Sequence, residues 1–359
     1  MTIRQKLEKL AAEKSDPCVT LSMNTHRTHP DNEQDIVQLK NLLKEAKERV
    51  VKEFGKRPVS DLLERFSEVE NEIDVNYNLD SLHVYLSNNT KEIIKSTWPI
   101  KETGVHISDT FNIHSLIKSY NRSEEYFILL LSQSSVNLYN TINDGIVEEI
   151  ENEDFPISEN RQYSSNPERV SDSKRVDDLV REYLNKVDKA VVKMHSETGL
   201  NCVVICTEDN YSRLMQVADK PSIYIGYASI DYNDTEKDTI AKQGWELVEE
   251  LQKTRRTEAI EEIKEAVGQG AVLTDLQEIF QASIDGRGDL LMVHQDFSQP
   301  VLMTGERTFE RTGDRTKENA IDDITSNIAW AVLSKGGRVF FTGQEEIKEL
   351  GNIVLKTRY

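Results

Sequence analysis

Apolar residues recur along the chain with two spacings, one helical and one of period two, and the alternation between them outlines the architecture. The charged opening MTIRQKLEKLAAEK predicts a helix, and PCVTLSMNT follows, with Val19, Leu21 and Met23 alternating as in a half-buried strand. A turn-rich HRTHPDNEQD leads into an amphipathic helix over residues 35–54, with Ile36, Leu39, Leu42, Leu43, Ala46 and Val50 on one face. After another helical region, residues 82–87 and 91–100 flank Asn88-Asn89-Thr90 as a hairpin. A second group of elements starts at Tyr126: two strands around residues 132–135, a third after the turn Asn143-Asp144-Gly145, a helix over 176–198, and the strands CVVICT and SIYIGY. Between them, residues 151–173 are polar and long enough to read as a functional or disordered loop.

A heavily charged helix is predicted over residues 235–267, ending at Gly268 and Gly270, and another over residues 273–282. The strand GRGDLLMVHQD, a polar stretch over 304–319, a helix over 320–334, the strand GGRVFFTG, and a last helix and strand complete an alternating α/β/α pattern. The fold class is α/β in three domains, with boundaries at 1–123, 124–255 and 256–359.

Composition narrows the class. Of 359 residues, 37% are hydrophobic and 30% charged, and mean hydropathy is −0.56. The longest apolar run, residues 126–131, is strand-sized, far short of the roughly 18–20 residues of a membrane span. The opening lacks the apolar core of a signal peptide, so a membrane or secreted protein is not expected, and the cytoplasm is. Three cysteines are too few for a disulfide framework, and Cys202 and Cys206 share one strand face as small core residues. Net charge is −19, divided as −1, −12 and −6 over the three domains, so indiscriminate binding to nucleic acid is disfavoured and a basic face is local only.

Several dispersed segments, in order, resemble the bacterial family related to archaeal and eukaryotic class I peptide-release factors and Pelota. They are CVTLSMNTHR, QLKNLLKEAKERV, LHVYLSNNTKEIIKSTWPI and DTFNIHSLI in the first domain, EYFILLLSQSSVNLYN in the second, and LTDLQEIFQASIDGRGDLLMV with the GGRVFF strand in the third. The resemblance implies a first domain facing the decoding site, a ribonuclease H-like middle domain reaching toward the peptidyl-transferase centre, and a third domain folded like kink-turn-binding ribosomal proteins. It also implies the ribosomal A site and its rRNA as partner, with a translational GTPase such as elongation factor Tu as companion, and no membrane, DNA or cofactor. Relatives include factors that protect idle ribosomes under stress.

Release factors of this superfamily use a Gly-Gly-Gln tip, whose backbone freedom brings it close to the ester. Here residues 151–173 contain no glycine, while Gly268-Gln269-Gly270 and Gly336-Gly337-Arg338 stand where helix ends are expected. Peptide release is therefore not expected, and no catalytic residue is assigned.

Candidate RNA contacts are Thr25, His26, Arg27 and His29, in a loop between strand and helix, and Arg161, Tyr163, Arg169, Lys174 and Arg175, which bring basic and aromatic groups into an acidic domain. The first group also reads as a polar turn, the second as a solvated loop. Arg307, Arg311, Arg315 and Lys317 form a candidate partner surface, whereas Arg255 and Arg256 read as helix-face partners of Glu250, Glu258 or Glu261. No metal site is assigned. Asp188, Glu208 and Asp209 are the acids a ribonuclease H-like nuclease would have to bring together. The expected function is a non-enzymatic factor that binds the A site in hibernation or rescue. The alternatives are a metal-dependent or peptidyl-tRNA hydrolase, and an interaction protein that reuses the scaffold away from ribosomes.

Overall fold

A helix α1 (Ile3–Ala12) precedes the central strand of the first sheet, β1 (Cys18–Asn24), and α2 (Asn32–Phe54), α3 (Ser60–Glu72), β2 (Ser81–Leu86), β3 (Lys91–Ser96) and β4 (Gly104–Ser108) follow. The strand order is β3-β2-β1-β4, antiparallel throughout. Alternation places Val19, Leu21 and Met23 of β1 and Leu82, Val84 and Leu86 of β2 on one face, where Leu39, Leu43 and Ala46 of α2 and Leu62 and Phe66 of α3 cover them. Each of these side chains larger than alanine contributes about 1.5–3 kcal/mol by leaving water. Ile36, expected on the apolar face of α2, is exposed, and Asp35 is buried instead because its carboxylate accepts three hydrogen bonds from His26 and Asn78. Strand β4 escapes the sequence pattern, since only Val105 and Ile107 alternate in it.

This computed structural model describes all residues except 101–102, 121–122, 132–134, 158–172, 230–235, 296, 313–319, 322 and 344–349; the side chains at 70, 114, 118, 173–176 and 320 also lie outside the description. After α4 (His114–Tyr120) come β5 (Glu125–Leu131), β6 (Val136–Ile142), β7 (Gly145–Glu149), α5 (Ser173–Thr198), β8 (Cys202–Ile205), α6 (Glu208–Val217), β9 (Tyr224–Ala228) and α7 (Lys237–Gly268). The second sheet has the order β7-β6-β5-β8-β9, with β5 and β8 parallel and β8 and β9 parallel. Phe127, Leu129 and Leu131 face α5 and α6, while Tyr126, Ile128 and Leu130 face Ile240, Ala241 and Val248 of α7. Burial on both faces is why β5 reads as an unbroken apolar run. Cys202 and Cys206 are buried in the first of these cores, and burial pushes the Cys206 thiol up to about 12.

The remaining elements are β10 (Val272–Leu273), α8 (Leu276–Ile284), β11 (Gly288–His294), β12 (Val301–Gly305), β13 (Thr308–Arg311), β14 (Ala320–Ile321), α9 (Ile324–Ser334), β15 (Arg338–Thr342) and β16 (Ile353–Thr357). A sheet of order β10-β16-β11-β15 has β11 and β15 parallel, and a small sheet runs β13-β12-β14. Leu291 and Val293 pack on α8 and α9, and Leu290 and Met292 on Ala259, Ile260 and Ile263 of α7, giving three layers. The β12–β13 hairpin occupies part of the stretch read from the sequence only as polar. The expected last helix coincides with residues 344–349, outside the described residues.

The chain divides into two compact units. Met1–Lys6, Lys14–Thr110 and Ser123–Glu250 form the first; Leu7–Glu13, Phe111–Arg122 and Leu251–Tyr359 form the second. No described helix is long and apolar enough to cross a membrane.

The glycine pairs that resemble a catalytic tip are helix stops. At the end of α9, the Gly336 N–H donates to the Leu333 carbonyl (3.0 Å) and the Gly337 N–H to the Val332 carbonyl (2.9 Å), with Gly336 at φ +77°. At the end of α7, Gly270 donates to Val267 and Ala271 to Ala266 (both 3.1 Å), with Gly270 at φ +69°. Gly286 and Arg287 repeat the pattern after α8. All three are Schellman motifs, in which a left-handed glycine lets two N–H groups satisfy the last carbonyls.

Candidate nucleic-acid interface

Antiparallel pairing of β1, β2 and β3 brings Asn24, Ser81 and Ser96 to the same end of the first sheet. The loop after β1 and the segment after β3 therefore leave side by side. Asn24 fastens them together: its Nδ2 donates to the Ile100 carbonyl (3.1 Å), and its Oδ1 accepts from the Ile100 N–H (2.8 Å). Trp98, between the two, is 40% exposed; its carbonyl accepts from the Ser81 hydroxyl (2.7 Å).

Within the loop, the buried Thr25 hydroxyl donates to the Leu79 carbonyl (2.6 Å). The His26 N–H donates to Asp35 Oδ2 (2.8 Å), and its ring Nδ1 lies 2.9 Å from Asp35 Oδ1. The hydrogen bond to this carboxylate raises the His26 pKa and favours the charged ring, whose side chain is 54% exposed. The Arg27 fork donates to both Asp80 oxygens (2.9 and 2.7 Å), and its Nη1 lies 3.0 Å from Asp144 Oδ2. Asp144 belongs to the β6–β7 turn, and Asn143 beside it donates to the Thr97 hydroxyl (2.9 Å). His29 is exposed and lies 3.5 Å from Glu33. The end of the sheet thus presents His26, His29 and Trp98, with Thr25 and Arg27 tied down beneath them. Beside them, a pocket of about 40 Å³ is lined by Ile36, Lys40 and the buried Asn78, whose Oδ1 has no hydrogen-bond partner.

Arg161, Tyr163 and Arg169 lie outside the described residues. Lys174 and Arg175 fall in the first turn of α5, with their side chains outside the description. Arg307 sits at the β12–β13 turn, where its Nη2 donates to both Asp285 oxygens (2.7 Å each) and its carbonyl accepts from Gln277 and Gln281. Arg311 is exposed on β13, and Arg315 and Lys317 lie outside the described residues. Arg256 binds Gln252 (2.8 Å).

Asp188 is buried and accepts from the Tyr224 hydroxyl (2.8 Å) and the Asp219 N–H (2.9 Å), while Asp209 is paired with Arg213 (2.9 Å). Among the described residues, no three His, Cys, Asp or Glu side chains are grouped to hold a metal. Sequence reasoning missed Trp98 by extending β3 to residue 100. A tryptophan followed by Pro99 was the available signal, because proline ends a ladder and leaves the indole at its end.

The architecture is a mixed α/β protein with several sheets. Residues 125–287, somewhat less than half of the chain, match the family described as bacterial archaeo-eukaryotic release factor family 3. Over this segment the chain is similar to that bacterial family, which is named for the archaeo-eukaryotic release factors. No curated protein matches it significantly. Among solved structures, the chain is similar to ribosome-bound archaeal Pelota, described with ABCE1, at 12% identity and TM-score 0.45, covering all of this chain and 94% of that one. It is similar to the archaeal translation termination factor aRF1 at 11% and 0.25, covering 99% and 97%. It is also similar to S. cerevisiae Dom34, described as interacting with Hbs1, at 11% and 0.37, covering 78% and 73%.

Proposed function

We propose that the protein is a ribosome-associated factor that occupies the A site without releasing peptide, acting in hibernation or rescue. One observation carries this reading: the segment similar to the release-factor family contains a polar stretch, residues 151–173, without a single glycine. An ester-approaching tip needs backbone freedom there. The end of the first sheet would meet rRNA through His26, His29 and Trp98, with Thr25 and Arg27 as its scaffold. Arg161, Tyr163, Arg169, Lys174 and Arg175 would approach the large-subunit centre, and Arg307, Arg311, Arg315 and Lys317 would face a protein partner. In this reading the chain works in the cytoplasm as three functional domains, residues 1–123, 124–255 and 256–359. A translational GTPase such as elongation factor Tu accompanies it, and no cofactor takes part.

Co-sedimentation with vacant and with A-site-filled 70S ribosomes, at two salt concentrations, tests this. Saturable binding near one copy per ribosome, blocked by A-site tRNA and weakened by salt, is the expected result. No binding to either particle, or binding indifferent to A-site tRNA, refutes it. A peptidyl-tRNA hydrolysis assay on the bound complexes is expected to show no release above background.

A further inference from the structure

A cleft of about 420 Å³ opens in the first unit, beside β3, the end of α3 and the β6–β7 hairpin. Its volume falls within the range of small-ligand sites. Lys95 of β3 lines it, half-buried, and Ile73, Ile93 and Val147 give it apolar neighbours there. The Lys95 ammonium donates to the Asp74 carbonyl (3.0 Å) and lies 5.7 Å from the centre of the Tyr77 ring. Among the described residues no carboxylate comes within 4 Å of it. Lys91, on the same strand, is the contrast: it holds both Glu68 and Glu72, and their hydrogen bonds raise its pKa.

The surroundings of Lys95 favour the neutral amine. Burial pushes it down to about 8, against the opposing pull of the Asp74 and Glu148 carboxylates. From α7, Lys237 sets a second ammonium over the same Tyr77 ring, 3.7 Å from its centre, so a like charge stands on the far side of the contact. The other charged groups lining the cleft are the Met1 amine, Lys6, Glu72, Glu125, Glu149 and Glu151. Glu72 is held by Lys91, Glu149 by Asn137 and Glu125 by the Ile3 N–H. A lysine desolvated beside another cation is a nucleophile near neutral pH. As a neutral amine it keeps an N–H for the Asp74 carbonyl and frees its lone pair.

We propose that Lys95 is an acylation site, which takes its acyl group from a small neutral activated ester or thioester in the cleft. Lys95 Nζ attacks the carbonyl carbon and a C–N bond forms. The bond from that carbon to the leaving oxygen or sulfur breaks, the leaving group keeps its electron pair, and one Nζ proton passes to water. The amide retains an N–H that still donates to the Asp74 carbonyl, and the acyl carbons lie against Ile93 and Val147. The site stands apart from the ribosome reading and survives its failure.

Treatment of the full chain with less than one equivalent of N-hydroxysuccinimidyl acetate, read lysine by lysine by peptide mass spectrometry, tests it. Lys40, Lys44 and Lys47 serve as references, being exposed on α2 without an ion pair. At about pH 7.5 Lys95 is expected to react about tenfold faster than these, and its rate to level off above about pH 8 while theirs climb toward about pH 10. Val147→Phe fills the cleft from a half-exposed position and should abolish the advantage of Lys95 while leaving the references unchanged, with circular dichroism checking the fold. Lys95 reacting no faster than the references, a rate that climbs with theirs, or an advantage that survives in folded Val147→Phe would each overturn the site.

Discussion

Arg27 and Asp80 form a forked ion pair, with Nε and Nη2 of the guanidinium bound to the two carboxylate oxygens at 2.9 and 2.7 Å. Asp144 takes the remaining nitrogen at 3.0 Å, so one side chain joins the loop after β1, the start of β2 and the β6–β7 turn. Both carboxylates are about one-third exposed, which screens the charges, but fork geometry and the shared cation retain part of the gain. Arg27→Ala is expected to lower the unfolding free energy by about 1–2 kcal/mol. Arg27→Lys should lose most of the same amount, because a point charge cannot reproduce the fork. Urea denaturation of the two variants checks both; an Arg27→Lys protein as stable as the parent would show that geometry is immaterial here.

His83 sits on the opposite face of β2 from the apolar core and is buried, with Ser22 Oγ 2.9 Å from Nδ1 and Ser81 Oγ 3.3 Å from Nε2. Burial holds its pKa down to about 4. The unfolded imidazole protonates near 6.5, so between about pH 6.5 and 4 the unfolded chain binds more protons. Stability contributed by this group is therefore full above about pH 6.5 and falls as pH drops to about 4, by about 3 kcal/mol in all. His83→Gln should remove that part of the slope when urea midpoints are compared across this range. An NMR titration placing the imidazole near 6.5 in the folded protein would contradict the prediction.

A second pH effect runs at lower pH. Arg338 Nη1 and Nη2 donate to both Glu262 oxygens (2.9 and 2.7 Å), and Lys356 Nζ reaches Glu262 (2.6 Å) and Asp289 (2.7 Å). Hydrogen bonding from Arg338 is the main cause holding the Glu262 carboxyl down at about 2. The folded value is below the ordinary one, near 4.3, so the contribution is present above about pH 4.3 and is lost as pH falls to about 2. Solvent reaches these side chains, which limits it to about 1 kcal/mol. Glu262→Gln should lose that amount at pH 7 and little at pH 2, read as the difference between urea midpoints at the two pH values.

The two glycines after α9 are expected to fail differently on substitution. Gly336 has φ +77° and a Cβ there would meet only the Arg358 guanidinium, at an unstrained 3.9 Å, so Gly336→Ala costs only backbone strain, about 1 kcal/mol. At Gly337 a Cβ would meet Val332 Cγ1 at 2.5 Å and the Gly288 carbonyl oxygen at 2.9 Å, so Gly337→Ala should cost about 1–3 kcal/mol through overpacking. Thermal unfolding of the two variants separates strain from crowding; equal losses would reject the distinction.

What could be read from the sequence was whatever a local period or a backbone constraint encodes. The apolar run of β5, the alternation of β1 and the glycine stops after α7 and α9 all act within a few residues. Asp35 breaks the apolar pattern of α2 because it answers donors from His26 and Asn78, which no periodicity contains. The same holds for Arg27: its loop was legible as a functional candidate, whereas its partner Asp144, far along the chain, was not. Short strands such as β4 and β13 draw their stability from neighbours, and their own residues carry too few alternations to show it.

Trp98 gives the interface reading its sharpest test, since it is neutral, partly exposed and fixed through its backbone. If an unpaired base stacks on it, Trp98→Ala should weaken ribosome binding by about 5- to 100-fold, the range for loss of a stacking partner. No phosphate contact is removed, so the dependence of binding on salt should keep its slope. Arg161→Ala is expected to behave in the converse way, with a milder loss and a slope reduced by about one. Arg27→Ala would combine weaker binding with the lower urea midpoint predicted above, because it acts by placing the loop. Unchanged affinity in Trp98→Ala, in a protein that folds and sediments normally, would remove this end of the sheet from the interface and leave the polar residues 151–173 to carry the contact with RNA.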